Sequence, residues 1–154
     1  MAEEKLHYRD NTKLKRPDIK YEFSKEQIEE YLKCAENPIY FIKNYMKIIS
    51  LDKGIINFEM YDYQEELITT FIGNRRTVVR SSRQSGKTTT TVAFMLWMTI
   101  FNEHYSIAIT ANKKSLAIEI LSRYQLAYES LPMWLQQGVV IWNKGCLLYT
   151  SDAA

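Results

Sequence analysis

The sequence predicts an α/β fold: a parallel sheet flanked by helices, preceded by a small helical region. Three observations carry this. Short apolar runs at 77–79, 106–110 and 139–142 alternate with two long helical patterns, and such alternation favours parallel strands with right-handed crossovers. The run Ser106-Ile107-Ala108-Ile109-Thr110 is short and apolar, as a strand buried in a parallel sheet is. Between the first run and the first long helix lies Ser81-Ser82-Arg83-Gln84-Ser85-Gly86-Lys87-Thr88-Thr89, and strand–loop–helix is the setting in which backbone amides bind phosphate.

The elements follow in order. Residues 1–20 are charged, contain Pro17 and read as a flexible arm, in which Lys13, Lys15, Arg16 and Lys20 are free to touch nucleic acid or simply to be solvated. Ser24 and Gln27 have capping-box spacing, and Ile28, Tyr31 and Leu32 recur at helical spacing. Asn37-Pro38 reads as the N-cap and first residue of a second helix, with Phe41, Ile42, Tyr45, Ile48 and Ile49 on its apolar face. Ser50 to Gly54 is a polar break. Residues 21–57 therefore form a helical N-terminal region, and 58–145 the main, incomplete sheet domain.

Phe58 to Ile68 reads as a loop feeding a helix that ends near Gly73-Asn74. Arg75-Arg76 precede the strand Thr77-Val78-Val79. After the loop, Val92, Ala93, Leu96, Trp97, Ile100 and Phe101 make a helix apolar on much of its girth, hence buried and suited to packing on a sheet. Lys113-Lys114-Ser115 lead into a further helix with Leu116, Ile120, Leu121, Tyr124, Ala127 and Tyr128 on one side, closed by Leu131-Pro132. Val139-Val140-Ile141-Trp142 is the third strand, and Asn143-Lys144-Gly145 a turn.

Composition bounds the function. The chain has 154 residues, 46% hydrophobic and net charge +2, enough for one domain with a core and too mildly basic to name nucleic acid from charge alone. Cys34 and Cys146 are far apart, without metal-ligand spacing, and fit inert thiols in a reducing cytoplasm. No apolar signal region opens the chain, and its longest apolar stretch, Thr91 to Phe101, is too short to span a bilayer. The chain reads as soluble and intracellular, with no membrane partner.

The chemistry sits in the loop. Gly86, Lys87 and Thr88 satisfy the second half of G-x-x-x-x-G-K-[ST], with Ser81 at the first Gly position. Gly86 lets the backbone approach an anion. Amides from Ser85 to Thr89 then converge at the positive end of the helix dipole. Lys87 brings an ammonium to the terminal phosphates, the Thr88 hydroxyl can ligate Mg²⁺, and Arg83 can reach the γ-phosphate. Ser82, Gln84 and Thr89 complete the lining for ATP. Gln64, 23 positions before Lys87 (87 − 64), has an amide able to donate and accept at an adenine edge; an exposed helical Gln accounts for it equally well.

Asn37-Pro38-Ile39-Tyr40-Phe41-Ile42, Gly54-Ile55-Ile56-Asn57-Phe58, Tyr61-Asp62-Tyr63-Gln64, Ser82-Arg83-Gln84-Ser85-Gly86-Lys87-Thr88-Thr89, Leu131-Pro132 and Trp142-Asn143-Lys144-Gly145 together resemble the large terminase subunit of T-even-type tailed phages. The likeness runs from about Tyr21 to Gly145, and that family's loop commonly departs at the position of Ser81. The resemblance implies a P-loop NTPase of RecA-like type, and a motor that uses ATP and Mg²⁺ to drive double-stranded DNA into a capsid. Its implied partners are the portal protein and the small terminase subunit, and its implied place is the cytoplasm of the infected bacterial host, at the capsid portal. It also implies that Arg83 and Lys87 are catalytic, that Gln64 reads adenine, that Thr88 holds the metal, and that Ala111-Asn112-Lys113 faces nucleic acid.

Two parts of that family's pattern are missing from the sequence: an apolar strand ending Asp-Glu, and a nuclease's acidic cluster. Cys146-Leu147-Leu148-Tyr149-Thr150-Ser151-Asp152-Ala153-Ala154 fits nothing around it and reads as an artefactual tail of foreign sequence. Two other functions stay open: a helicase-like nucleic-acid-dependent ATPase, and a fragment that binds nucleotide without hydrolysing it.

Overall fold

The computed structural model describes residues 7–9, 11–17, 19, 21–50, 52–143 and the backbone of 147–150. The element order is β1 (His7–Tyr8), β2 (Asn11–Lys15), α1 (Lys25–Glu36), α2 (Pro38–Tyr45), β3 (Lys47–Ser50), β4 (Gly54–Asn57), α3 (Asp62–Gly73), α4 (Lys87–Phe101), α5 (Lys114–Glu129), β5 (Gly138–Trp142) and β6 (Leu147–Thr150). Helix and strand are mixed, and the strands pair as β1–β2, β3–β4 and β5–β6, all antiparallel.

The helix starts follow from local chemistry. Ser24 Oγ accepts from Gln27 N at 3.2 Å and Gln27 Oε1 accepts from Ser24 N at 3.1 Å, the reciprocal capping box that satisfies two orphan amide donors. Asn37 Oδ1 accepts from Tyr40 N at 3.0 Å, with Pro38 at the first helical position, where its missing N–H costs nothing. Glu30 then ties α1 to α2 by accepting from the hydroxyls of Tyr40 (2.8 Å) and Tyr45 (2.9 Å).

Helix α4 lies at the centre, packed against α2, α3 and α5. It buries Thr90, Val92, Ala93, Leu96, Thr99 and Ile100. The burial expected of this helix is therefore present, but helices supply most of the cover in place of a sheet. Phe101 packs edge-on to Phe41 of α2, Phe94 packs against Phe71 of α3, and Trp97 Nε1 donates to the Cys34 carbonyl of α1 at 2.8 Å. Toward α5, Thr99 and Tyr124 join their hydroxyls. One core draws on both expected regions, since Cys34, Phe41, Ile42 and Met46 are buried with Ile68, Leu96, Tyr128 and Val139.

The described residues differ from the expectations in several places. No parallel ladder forms among the described residues. The segments 77–79 and 106–110 carry neither helix nor strand pairing, and Val78 is 96% exposed. A strand exists through ladder bonds to a neighbour, and neither segment finds one; alternation survives in the second, where Ile107 and Ile109 are half-buried between exposed residues. The third expected strand does form as β5, but beside β6 and antiparallel to it. Residues 147–150 of the expected tail thus take part in a strand pair; Cys146 and 151–154 lie outside the described residues, as do Lys144 and Gly145 of the expected turn.

The second helix ends at Tyr45, and Ile48 and Ile49 belong to β3, which turns at Ser50–Gly54 into β4. Gly54 has φ +72, a conformation in which a Cβ is strained. Within the expected arm, β1 and β2 pair as a hairpin held by the burial of Leu14 and by Gln136. The Gln136 side chain accepts from Lys15 N at 3.0 Å and donates to the Lys13 carbonyl at 2.9 Å.

Leu96→Ala empties a fully buried position and is expected to cost about 2–5 kcal/mol. Leu116→Ala, on the exposed flank of α5, is expected to stay within about 0.5 kcal/mol. Urea unfolding separates the two; equal losses would displace α4 from the centre of the core. Burial, then Glu30, pushes the Cys34 thiol up from 9.0 to about 12. Ionisation of the unfolded thiol therefore removes stability as pH rises from 9.0 toward about 12, stability that is fully present below 9.0. Cys34→Ala is expected to flatten that alkaline decline in the urea midpoint, and an unchanged slope would refute it.

Candidate functional site

The loop leaves the unpaired segment 77–80 and enters α4 at Gly86, whose φ of +74 is left-handed. Gln84 shares that sign, with φ +63, so the chain reverses twice within three residues. The first helical bond here is from Thr90 N to the Gly86 carbonyl at 2.9 Å. The amides of Lys87, Thr88 and Thr89 precede it and have no partner among the described residues. Three unpaired donors at the positive end of a 15-residue helix make an anion cradle.

The loop is closed by its own polar groups. The Ser82 carbonyl accepts from Lys87 Nζ at 2.9 Å and from Ser85 Oγ at 3.0 Å, and the hydroxyls of Ser81 and Ser85 meet at 2.9 Å. Ser81 thus does more than replace a glycine: it staples the ends of the turn. Lys87 is half-buried and folded back over the loop, whereas Ser82, Arg83 and Gln84 are exposed. Arg83 has no partner among the described residues. Thr88 is half-buried beside the free amides. Thr89 also lines a cavity of about 490 Å³ shared with Met46, Ile48, Val92 and Leu126.

The start of α3 props the loop from behind. Tyr63 Oη donates to the Ser85 carbonyl at 2.7 Å, and Gln64 Nε2 donates to the same carbonyl at 3.4 Å. Gln64 Oε1 accepts from Tyr61 N at 3.0 Å. Gln64 is 2% exposed, so it is not an exposed helical glutamine; its amide bridges the α3 N-terminus and the loop. A Cβ built on Gly86 would lie 2.4 Å from Gln64 Nε2, so a larger residue there must push the Gln64 amide aside, besides being strained at that φ. The exposed rings of Tyr61 and Tyr63 stack beside the loop at 5.7 Å and 11°.

The expected residues Gln64 and Ser82 to Thr89 are therefore brought into one neighbourhood. Ala111-Asn112-Lys113 is exposed, just before α5, and no described contact joins it to the loop. Tyr63 and Ser81 as loop anchors were not foreseen; a tyrosine next to Gln64 at a helix start was the one available cue for the first. The donor set suits a polyphosphate. For Mg²⁺ it offers the Thr88 hydroxyl, and among the described residues no group of three His, Cys, Asp or Glu is placed to hold a metal. No protein-family model matches the chain.

Gly86→Ala is expected to destabilise the fold by about 1–3 kcal/mol through backbone strain and displacement of Gln64. Combined with Gln64→Ala, the loss is expected to fall short of the sum by at least about 0.5 kcal/mol. Strict additivity in denaturant unfolding would show that the two residues do not meet.

Proposed function

We propose that this chain is the nucleotide-binding portion of a DNA-packaging motor ATPase of the terminase large-subunit type. The observation that carries the reading is the cradle at Lys87–Thr89: three free amides at the start of α4, behind a left-handed glycine and beside a lysine and a threonine. In this reading the amides take the phosphates of ATP at the helix dipole. Lys87 leaves the Ser82 carbonyl for the outer phosphates. Arg83, exposed and unpaired, turns onto the γ-phosphate, where charge develops during transfer. Thr88 would hold Mg²⁺, which when bound neutralises charge on the outer phosphates. Gln64 acts mainly through the loop it props, and the stacked Tyr61 and Tyr63 offer the adenine a flat face.

The finer fold, a RecA-like parallel sheet, belongs to this proposal: the segments 77–79 and 106–110 have the composition of its strands. The sequence resemblance supplies the partners, namely double-stranded DNA, the portal protein and the small terminase subunit, and the setting, host cytoplasm at the capsid portal. Among the described residues no helix is long and apolar enough to cross a membrane.

A second reading, nucleotide binding without hydrolysis, is favoured for the chain by one observation. The sequence of these 154 residues contains no apolar strand ending Asp-Glu to fix a metal and orient water. Calorimetry is expected to show ATP binding that Lys87→Ala abolishes, with phosphate release no faster than in that variant. Equal ATP affinity of parent and variant would overturn the loop assignment; turnover well above the variant would overturn the non-hydrolytic reading.

A further inference from the structure

We propose that Tyr63 is a positioning residue for phosphate binding: its hydroxyl holds the Ser85–Gly86 peptide in the orientation that makes the Gly86 amide a fourth donor to the cradle. This deepens the nucleotide reading of the loop and rests on it. The Ser85 carbonyl accepts from Tyr63 Oη at 2.7 Å and from Gln64 Nε2 at 3.4 Å. The first is an ordinary length for an O–H···O bond and the second is long for an N–H···O bond, so Tyr63 supplies the main hold. Among the described residues every peptide is trans, and in a planar trans peptide the C=O and the N–H point in opposite directions. A carbonyl fixed toward the start of α3 therefore fixes the Gly86 N–H away from it. That N–H has no partner among the described residues, like those of Lys87, Thr88 and Thr89 that follow it.

The hold is needed because glycine does not supply one. Gly86 has φ +74, and turning the Ser85–Gly86 plane over carries it to negative φ, which glycine occupies as readily. The turned plane would aim the Ser85 carbonyl, a partial negative charge, to the side from which the N–H now points. The other polar groups of the loop do not prevent this. Ser85 Oγ is committed to Ser81 and to the Ser82 carbonyl, and Lys87 Nζ to the Ser82 carbonyl as well. The two stacked tyrosines thereby divide the work. Of the pair, Tyr63 carries the described side-chain bond to the loop. Tyr61 is the more exposed, at 68% against 49%, and presents its ring to the base.

The test uses the full chain, isotope-labelled at the serine carbonyl carbon and the glycine nitrogen. Ser85-Gly86 is the one Ser-Gly step in the sequence, so a carbonyl-to-amide NMR spectrum shows Gly86 alone. Inorganic tripolyphosphate is expected to move that amide resonance saturably in the parent. Tyr63→Phe keeps the ring and removes the hydroxyl. It should weaken ATP and tripolyphosphate by the same factor, roughly two- to tenfold, as one hydrogen bond is worth, and shrink the Gly86 shift at saturation. Tyr61→Ala should weaken ATP and leave tripolyphosphate unchanged. A hydroxyl with a merely structural role would lower the melting temperature in Tyr63→Phe but leave the affinities and the saturating shift as in the parent, and that result would overturn the proposal. So would a Gly86 resonance that bound tripolyphosphate does not move, or a Tyr61→Ala variant that loses tripolyphosphate as Tyr63→Phe does. A parent that binds neither ATP nor tripolyphosphate would overturn the nucleotide reading itself, and this proposal with it.

Discussion

The enclosure of α4 is the constraint from which the other arrangements follow. Its sequence, Lys87-Thr88-Thr89-Thr90-Thr91-Val92-Ala93-Phe94-Met95-Leu96-Trp97-Met98-Thr99-Ile100-Phe101, has no charged residue after Lys87, and a helix apolar on most of its surface must be covered on most of its surface. Helices α2, α3 and α5 do this. Its threonines are made compatible with burial by bonding backward one turn, Thr90 to Gly86, Thr91 to Lys87 and Thr99 to Met95. Once the body of α4 is locked, its first turn has nowhere to move, and the loop inherits that fixity.

The loop adds its own closure to this foundation. Two carbonyls act as hubs: Ser82 gathers Lys87 and Ser85, and Ser85 gathers Tyr63 and Gln64. The second hub joins α3 to the loop, and α3 is itself joined to α2 by the Lys43–Glu65 pair at 2.6 Å. The cradle is thus preorganised by hydrogen bonds from Ser85, Tyr63, Gln64 and the Lys87 ammonium to loop carbonyls, which leaves the amides of Lys87 to Thr89 and the Arg83 side chain without a partner among the described residues. Preorganised donors lose little in reorganisation when an anion arrives.

Much of this was legible in the sequence where the cause is local. Ser24 with Gln27, and Asn37 with Pro38, act over three residues or fewer and placed two helix starts. The apolar girth of α4 predicted its burial but not the identity of its cover, because a sheet and a set of helices present the same apolarity to it. Ile48 and Ile49 keep helical spacing with Phe41 and Tyr45, and periodicity alone does not reveal that Met46 leaves the helix for an extended conformation. The hairpin of β1 and β2 hangs on Leu14 and on a glutamine 121 residues away, a partnership no window of sequence contains. Strand pairing has the same character: Thr77-Val78-Val79 has the propensity, but a ladder needs a second party. At the site, the left-handed turn at Gly86 and the helix start at Lys87 were readable from the local sequence; the roles of Tyr63 and Ser81 depend on where a carbonyl points.

The grip of Gln136 on the hairpin has a consequence for synthesis on the ribosome. Its side chain bonds the Lys13 carbonyl across 123 positions, so the β1–β2 hairpin is secured only by residues made much later. While the middle of the chain is being translated, helices α1 to α3 can already collapse on one another, but Leu14 has no settled place until the segment after α5 has emerged. Closing so long a loop carries an entropic cost that local contacts do not share, and it delays the contact whatever its final strength. The bonds of Gln136 to the hairpin therefore form only after the segment following α5 has been synthesised, later than the local β1–β2 pairing itself.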